Sequence, residues 1–254
     1  NLDIDIKGIE NNSKEVKTGY MFIAIKGFET DGHNYINDAI DAGCTAVMIQ
    51  EGCDLSKINV KNDVTVIMAK DTREALAICS SNFYDNPSRK FKLIGVTGTK
   101  GKTTTTFMIK ELLEKAGKKV GLIGTIATYI NGKKIKESDR TTPESLELQK
   151  TFFQMAKEKV EYVVMEVSSQ SLKLHRVDGC NFDIAIFTNF SEDHISEKEH
   201  TDMKDYFQSK LKLFNMCKVG IVNADDLYAA KIPKLFPDSD ITTYVCLLYT
   251  SPSP

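Results

Sequence analysis

No apolar run in this 254-residue sequence approaches the ~20 residues that a membrane-spanning helix needs, and the opening NLDIDIKGIE has no apolar segment of the kind a secretory leader carries. A cytoplasmic protein that does not engage a membrane is expected. Charge of one sign is also lacking: 33 Lys and Arg stand against 35 Asp and Glu, for a net charge of −2 and a pI of about 6.2. This leaves no electrostatic case for nucleic acid, and Lys133, Lys134 and Lys136 read as a solvated turn. The six cysteines, Cys44, Cys53, Cys79, Cys180, Cys217 and Cys246, form no C-x-x-C pair. That speaks against a zinc site or a disulfide framework and suits reduced thiols packed as small apolar side chains. The pair Ser168-Ser169 lacks the G-x-S-x-G surround, so it is not read as a hydrolase nucleophile. At 41% hydrophobic and 27% charged residues the chain is not disordered and is long enough for two domains with cores of their own.

What is present centres on GVTGTKGKTTTT, Gly95 to Thr106. The apolar, β-branched FKLIGV (Phe91 to Val96) before it suits a central parallel strand. FMIKELLEKAG after it places Phe107, Ile109, Leu112 and Leu113 at helical spacing, with Gly117 as a C-terminal cap. Strand, glycine-rich loop and helix N-terminus make a phosphate cradle: glycines let backbone N–H groups face one anion, Lys102 reaches the β- and γ-phosphates, and Thr103 offers a hydroxyl to Mg²⁺. The pattern departs from GxxxxGK[ST], which needs glycine where Val96 stands; the glycines are Gly95, Gly98 and Gly101. The bland alternative is a glycine-rich turn with an exposed lysine.

In chain order, residues 1–88 read as a small α/β unit with strands at 20–25, 46–50 and 64–68, a short helix at 38–43, and a helix capped by Asp71 or Thr72 that ends near Tyr84. The turn Asp85-Asn86-Pro87-Ser88 marks a boundary. Residues 89–245 form a second α/β domain with a mostly parallel sheet: strands at 120–125, 162–167 and 182–189, a hairpin turn at Asn131–Lys134, a helix begun by Thr141-Thr142-Pro143-Glu144 under a threonine cap and running to about Lys159, a helix at 203–217, and a strand in GIVNADD. Because ligands of such sheets sit at the carboxyl ends of the strands, Glu166, Ser168, Thr188, Asn189 and His194 should meet the glycine loop. Residues 246–254 read as a non-native tail.

From residue types alone, Glu166 and His194 are either Mg²⁺ ligands or, for His194, a loop histidine bonded to backbone. Arg176 is either an anion clamp or a surface arginine. Lys210 lies on an amphipathic helix and reads as solvated.

These segments together resemble the Mur ligases, over residues 1 to 245: NNSKEVKTGYMFIAIKGFETDGHNYI, GVTGTKGKTTTT, GLIGTIATYINGK, RTTPESLELQ, MEVSSQSLKLHRV, FTNFSEDH, YFQSKLKLF and NADD follow one another at family spacing. The Thr-Thr-Pro segment and GTI favour the branch that adds the third amino acid to the peptidoglycan precursor over the one that adds the terminal dipeptide. The resemblance implies an ATP-driven, amide-forming ligase acting through an acyl phosphate on UDP-N-acetylmuramoyl-dipeptide and a free amino acid. It implies that Gly98, Thr99, Lys100, Gly101, Lys102, Thr103 and Thr104 hold ATP, and that Thr103, Glu166, His194 and a carbamoylated Lys210 hold Mg²⁺, with Lys102, Lys210 and His194 serving catalysis. Ser13, Phe28, Glu29 and Thr30 would meet the UDP group, and Thr141, Thr142, Ser168 and Arg176 the muramoyl-dipeptide. Lys100 replaces the family's usual asparagine, Asn12 and Lys14 its Asp and Arg, Gln170 a common histidine, and Leu174 a glutamine of some members. The family's C-terminal domain falls outside the match, so the chain is expected to be a monomeric, truncated ligase inactive on its own. Two other readings are a folylpolyglutamate or cyanophycin synthetase-like ligase and a non-catalytic nucleotide-binding module.

Overall fold

The computed structural model describes residues 4–54, 56, 58–59, 64–193, 195–196 and 199–245; His194 and the expected tail 246–254 lie outside them. The chain forms two compact units, one of residues 1–86 joined by Ser145–Lys150 and Leu174–Gly179, the other of the remainder.

In the first unit, β1 (Gly8–Glu10), β2 (Tyr20–Ile23), β3 (Ala46–Gln50) and β4 (Thr65–Ala69) make a parallel sheet in that order. The side chains of a strand alternate between its two faces, and the core divides accordingly. Phe22, Val47 and Ile49 pack with Ile36 and Ile40 of α1 (Ile36–Asp41). Met21, Ile23, Ala46 and Met48 pack with Leu76 of α2 (Thr72–Phe83) and with Leu146. The Asp71 carboxylate caps α2, accepting from the N–H groups of Arg73 and Glu74 at 2.8 and 3.1 Å. The strand Gly8–Glu10 escapes the sequence reading because three residues are too few to show a period.

The second unit holds an eight-stranded sheet. Its elements in chain order are β5 (Lys92–Thr97), α3 (Lys102–Lys115), β6 (Val120–Ile123), β7 (Ala127–Ile130), β8 (Lys133–Glu137), α4 (Ser145–Lys157, whose first residues belong to the first unit), β9 (Tyr162–Glu166), α5 (Ser169–Lys173), β10 (Phe182–Phe187), α6 (Met203–Leu211), β11 (Cys217–Asn223), α7 (Ile232–Leu235) and β12 (Asp240–Tyr244). The strand order is β12-β11-β10-β5-β9-β6-β7-β8, parallel except at the β6–β7 and β7–β8 pairs. Ile94, Val96, Val120 and Val164 bury one face against Ile109 and Leu113 of α3. Asn131 and Gly132, both at positive φ (49° and 79°), turn β7 into β8 as a two-residue hairpin requires. With β5 between β9 and β10, the ends of three neighbouring parallel strands deliver the glycine loop, Glu166 and Thr188-Asn189 to one edge.

Three readings change. The helix after Thr-Thr-Pro starts at Ser145, not at a threonine cap, because the Thr142 hydroxyl bonds elsewhere. The helix from Met203 leaves α geometry after Leu211 and continues as a 3₁₀ turn over Lys212–Met216, with strand beginning at Cys217. Strand β12 escapes the sequence reading: it is a mostly exposed edge strand, DITTY in sequence, without a buried face to imprint a pattern. None of the described cysteines is in a disulfide, and no helix among the described residues is long and apolar enough to cross a membrane.

Candidate nucleotide site

The loop between β5 and α3 is set by backbone constraints that only its sequence meets. Gly98 has φ +141°, and a Cβ there would lie 2.0 Å from the Thr188 hydroxyl oxygen; Gly101, the residue before α3, has φ +81°. Both conformations favour glycine. Asn189 holds the turn from outside: its carbonyl accepts from Thr99 N–H (2.9 Å), its side-chain oxygen accepts from Lys100 N–H (2.9 Å), and its amide donates to the Lys100 carbonyl (3.0 Å). Thr188 donates to that same carbonyl at 2.8 Å. Lys100 is thus fixed by its backbone while its side chain faces solvent. Thr99 is buried, its hydroxyl accepting from Tyr206 at 3.3 Å.

Two lysines and one carboxylate line the cradle. Lys102 Nζ donates to the Gly98 and Thr99 carbonyls at 3.0 Å each; burial pushes its pKa down, opposed by Glu166 and Asp193. Lys210, 1% exposed, donates to the Gly98 carbonyl at 2.8 Å and lies 4.6 Å from the Tyr206 ring centre. Its pKa falls well below the usual lysine value, first through burial and then through Lys102, against a raising effect of Asp193. The solvated reading of Lys210 is therefore wrong: Tyr206 and Lys210, four residues apart, share the buried face of α6. Thr103 donates to both oxygens of Glu166 at 3.0 Å.

Glu166 is buried and receives two more bonds, from the Thr125 N–H (2.9 Å) and hydroxyl (3.2 Å). The approach is close enough that a Cβ on Gly124 would meet its Oε1 at 2.3 Å. The Thr125 hydroxyl also lies within hydrogen-bond distance of that of Thr141 (3.1 Å). Thr142 donates to the Glu166 carbonyl (2.9 Å) and accepts from Ser168 N–H (3.1 Å). Thr141, Thr142 and Ser168 are thereby brought together behind Glu166. Thr104 is exposed on the first turn of α3. Thr125 and Tyr206 are absent from the sequence-derived site: threonine in GTI and tyrosine in an amphipathic helix carry no signal of their own. Asn189 was legible only as a polar residue ending a strand.

The remaining candidates belong to the first unit. Ser13 opens a 3₁₀ turn capped by Asn12. Phe28, 63% exposed, Glu29 and Thr30 form the tip of a turn closed by Gly27 N–H to the Thr30 carbonyl (2.9 Å) and by bridge pairing of Lys26 with Asp31. A cavity of about 640 Å³ is lined by Lys26, Asp31, His33 and Gln50, but not by Ser13 or Phe28 to Thr30. Arg176 is buried in the same unit.

A glycine loop at a helix N-terminus, with a lysine over the loop and a hydroxyl–carboxylate pair beside it, is the arrangement of a phosphate loop in an α/β fold. Residues 96–246 match the Mur ligase middle domain, and residues 5–84 match the domain described as Mur ligase family, catalytic domain. The chain belongs to the Mur ligase family. It is 52% identical over 238 residues to the UDP-N-acetylmuramoyl-L-alanyl-D-glutamate–2,6-diaminopimelate ligase of Clostridium botulinum, covering 94% of this chain and 48% of that protein. A solved structure of a ligase of that name superposes with a TM-score of 0.77 at 26% identity, over 96% of this chain and 49% of that one. A MurF ligase from Thermotoga maritima in complex with ADP has the same fold, with a TM-score of 0.57 at 20% identity, over 96% of this chain and 51% of that one. The chain spans about half the length of the curated relatives it matches.

Proposed function

We propose that this chain supplies the UDP-binding and ATP-binding parts of a cytoplasmic ligase that adds the third amino acid, diaminopimelate by the name of its relatives, to UDP-N-acetylmuramoyl-dipeptide in peptidoglycan synthesis. The observation that carries this is the cradle itself, where Lys102, Lys210, Thr103 and Glu166 converge on one glycine loop. The reaction is phosphoryl transfer followed by acyl transfer. A substrate carboxylate oxygen bonds to the γ-phosphorus of ATP as ADP departs; the amino acid's amine then bonds to the acyl carbon, phosphate leaves, and the nitrogen gives up its proton.

The cradle contains no nucleophile in this scheme, because both bonds form between substrates; its work is orientation and charge neutralisation. Lys102 would turn from its loop carbonyls to the phosphate oxygens, and the N–H groups of residues 101–103, at the start of α3, would face them. Thr103 and Glu166 suit a divalent cation: both are oxygen donors, and they already share hydrogen bonds at 3.0 Å. No group of three or more His, Cys, Asp or Glu side chains gathers among the described residues, so such a cation would take its remaining ligands from phosphate, water or residues beyond these. Mg²⁺ bound there would neutralise charge on the transferring phosphoryl group. His194 is a third candidate ligand by its position in the sequence. Thr141, Thr142 and Ser168, with Arg176, remain candidates for the muramoyl-dipeptide, and Ser13 with Phe28 to Thr30 for the UDP group.

Carbamoylation of Lys210 needs the neutral amine, since only that form attacks CO₂, and burial beside Lys102 shifts the balance towards it. The new N–C bond costs one proton and leaves an anion, while the remaining N–H can keep its bond to Gly98. Intact mass measured under CO₂-preserving conditions should show the increment of one CO₂; finding only unmodified lysine rejects the carbamate.

Calorimetric titration of Mg-ATP into the protein tests the nucleotide assignment. Lys102→Ala should weaken binding about 100-fold, since the ammonium contributes charge-assisted bonds worth on the order of 3 kcal/mol. Unchanged binding would remove the assignment.

A further inference from the structure

Ser169 lacks the G-x-S-x-G surround of a hydrolase nucleophile, yet it stands at the end of a buried polar chain. His200 is 1% exposed and Ser169 4%. His200 Nε2 lies 2.9 Å from the Ser169 hydroxyl, and Nδ1 lies 3.3 Å from Asp205 Oδ2. Asp205 is held ionised, its pKa down at about 2 through Lys173, the Thr201 N–H and His200 against the opposing effect of burial. A carboxylate only accepts, so Nδ1 of His200 carries the proton. Burial lowers the His200 pKa, and in the neutral ring with Nδ1 protonated Nε2 accepts from Ser169. The order of groups is that of a hydrolytic triad, but Ser169 is buried and its hydroxyl is spent on His200.

The same chain clamps α5 at both ends. Ser169 is its first residue; Lys173, its last, donates to Asp205 at 2.6 Å and to the Glu199 carbonyl at 2.9 Å. Five residues are far too few for a helix to hold itself, so tertiary bonds set where α5 lies. Ser168 is its cap, its hydroxyl accepting from Ser171 N–H at 3.1 Å and its carbonyl from the Ser171 hydroxyl at 2.6 Å. Where α5 sits therefore decides where Ser168 sits.

We infer that His200 is a positioning residue for the acceptor substrate: by pinning Ser169 it fixes α5 and with it Ser168, next to Thr142. The inference rests on the proposed function, in which Ser168 and Thr142 hold the muramoyl-dipeptide. His200 touches no reacting atom in this scheme and acts only through Ser169.

The test is steady-state ligation by the protein carried to its relatives' full length, with UDP-N-acetylmuramoyl-dipeptide, ATP and diaminopimelate varied in turn. His200→Asn places an amide near the Nδ1 position and serves Asp205 but not Ser169; His200→Gln places one near Nε2 and serves Ser169. His200→Asn and Ser169→Ala should each raise KM for the UDP substrate about tenfold, leave KM for ATP within twofold, and add nothing to one another when combined. His200→Gln should restore most of the affinity. Variants that only lower the melting temperature, with every KM unchanged, overturn the inference and leave a structural bond. A wild-type protein that does not ligate overturns the functional reading, and this inference with it.

Discussion

Residues 98–101 and residues 26–31 are both short loops that leave a parallel strand and carry candidate ligand contacts, yet they are held in different ways. The first is fixed from outside itself: Asn189, Thr188, Tyr206 and Lys210 all bond its backbone or its Thr99 hydroxyl. The second is closed by its own ends, Gly27 to Thr30 and Lys26 to Asp31, and exposes Phe28, Glu29 and Thr30. A loop that must present several N–H groups to a polyanion cannot let them wander, whereas a turn tip can adapt to a flatter ligand. The difference implies that substitutions in the first loop cost stability and binding together, while those in the second cost binding alone.

Gly98→Ala should do the greatest damage. It forces an alanine into φ +141° and into Thr188, so a loss of about 3 kcal/mol in chemical denaturation is expected together with lost ATP binding; a protein of wild-type stability would mean that the loop is not fixed as described. Thr142→Val comes next. It removes one hydrogen bond from the Glu166 carbonyl and one from the Ser168 N–H, at about 2 kcal/mol, measurable in the same denaturation experiment.

The Lys173–Asp205 pair makes a smaller, pH-dependent contribution. The Asp205 pKa is depressed from 3.8 to about 2, so its stabilisation is fully present above pH 3.8 and is lost as pH falls towards 2. Lys173→Met should remove on the order of 1 kcal/mol at neutral pH and flatten the acid dependence between pH 4 and 2, as followed by circular dichroism. Phe28→Ala should be least costly, within about 0.5 kcal/mol of wild type in stability, while weakening binding of the UDP substrate; a large stability loss would erase the contrast between the two loops.

Legibility in the sequence follows the same division. Glycine, lysine and threonine at fixed spacing after a β-branched run report a backbone demand directly, so the cradle and its parallel sheet were readable, as was the Asn-Gly hairpin. Thr142 was misread as a helix cap because a threonine before proline and glutamate looks the same whether its hydroxyl turns to the helix or to Glu166. Lys210 was readable only through the family resemblance: helical spacing puts it opposite solvent, beside Tyr206, but lysine is so seldom buried that composition argues the other way. Asn189 and His200 act through bonds to residues some 90 and 31 positions away, and no local pattern encodes partners at such separations.

If the cradle serves amide formation, phosphate release by the protein carried to its relatives' full length will depend on both substrates and on Lys102. Release should require ATP, UDP-N-acetylmuramoyl-dipeptide and the amino acid together, yield the extended UDP-peptide by mass spectrometry, and vanish in Lys102→Ala. Release that proceeds without the acceptor, or that survives Lys102→Ala, would contradict that role.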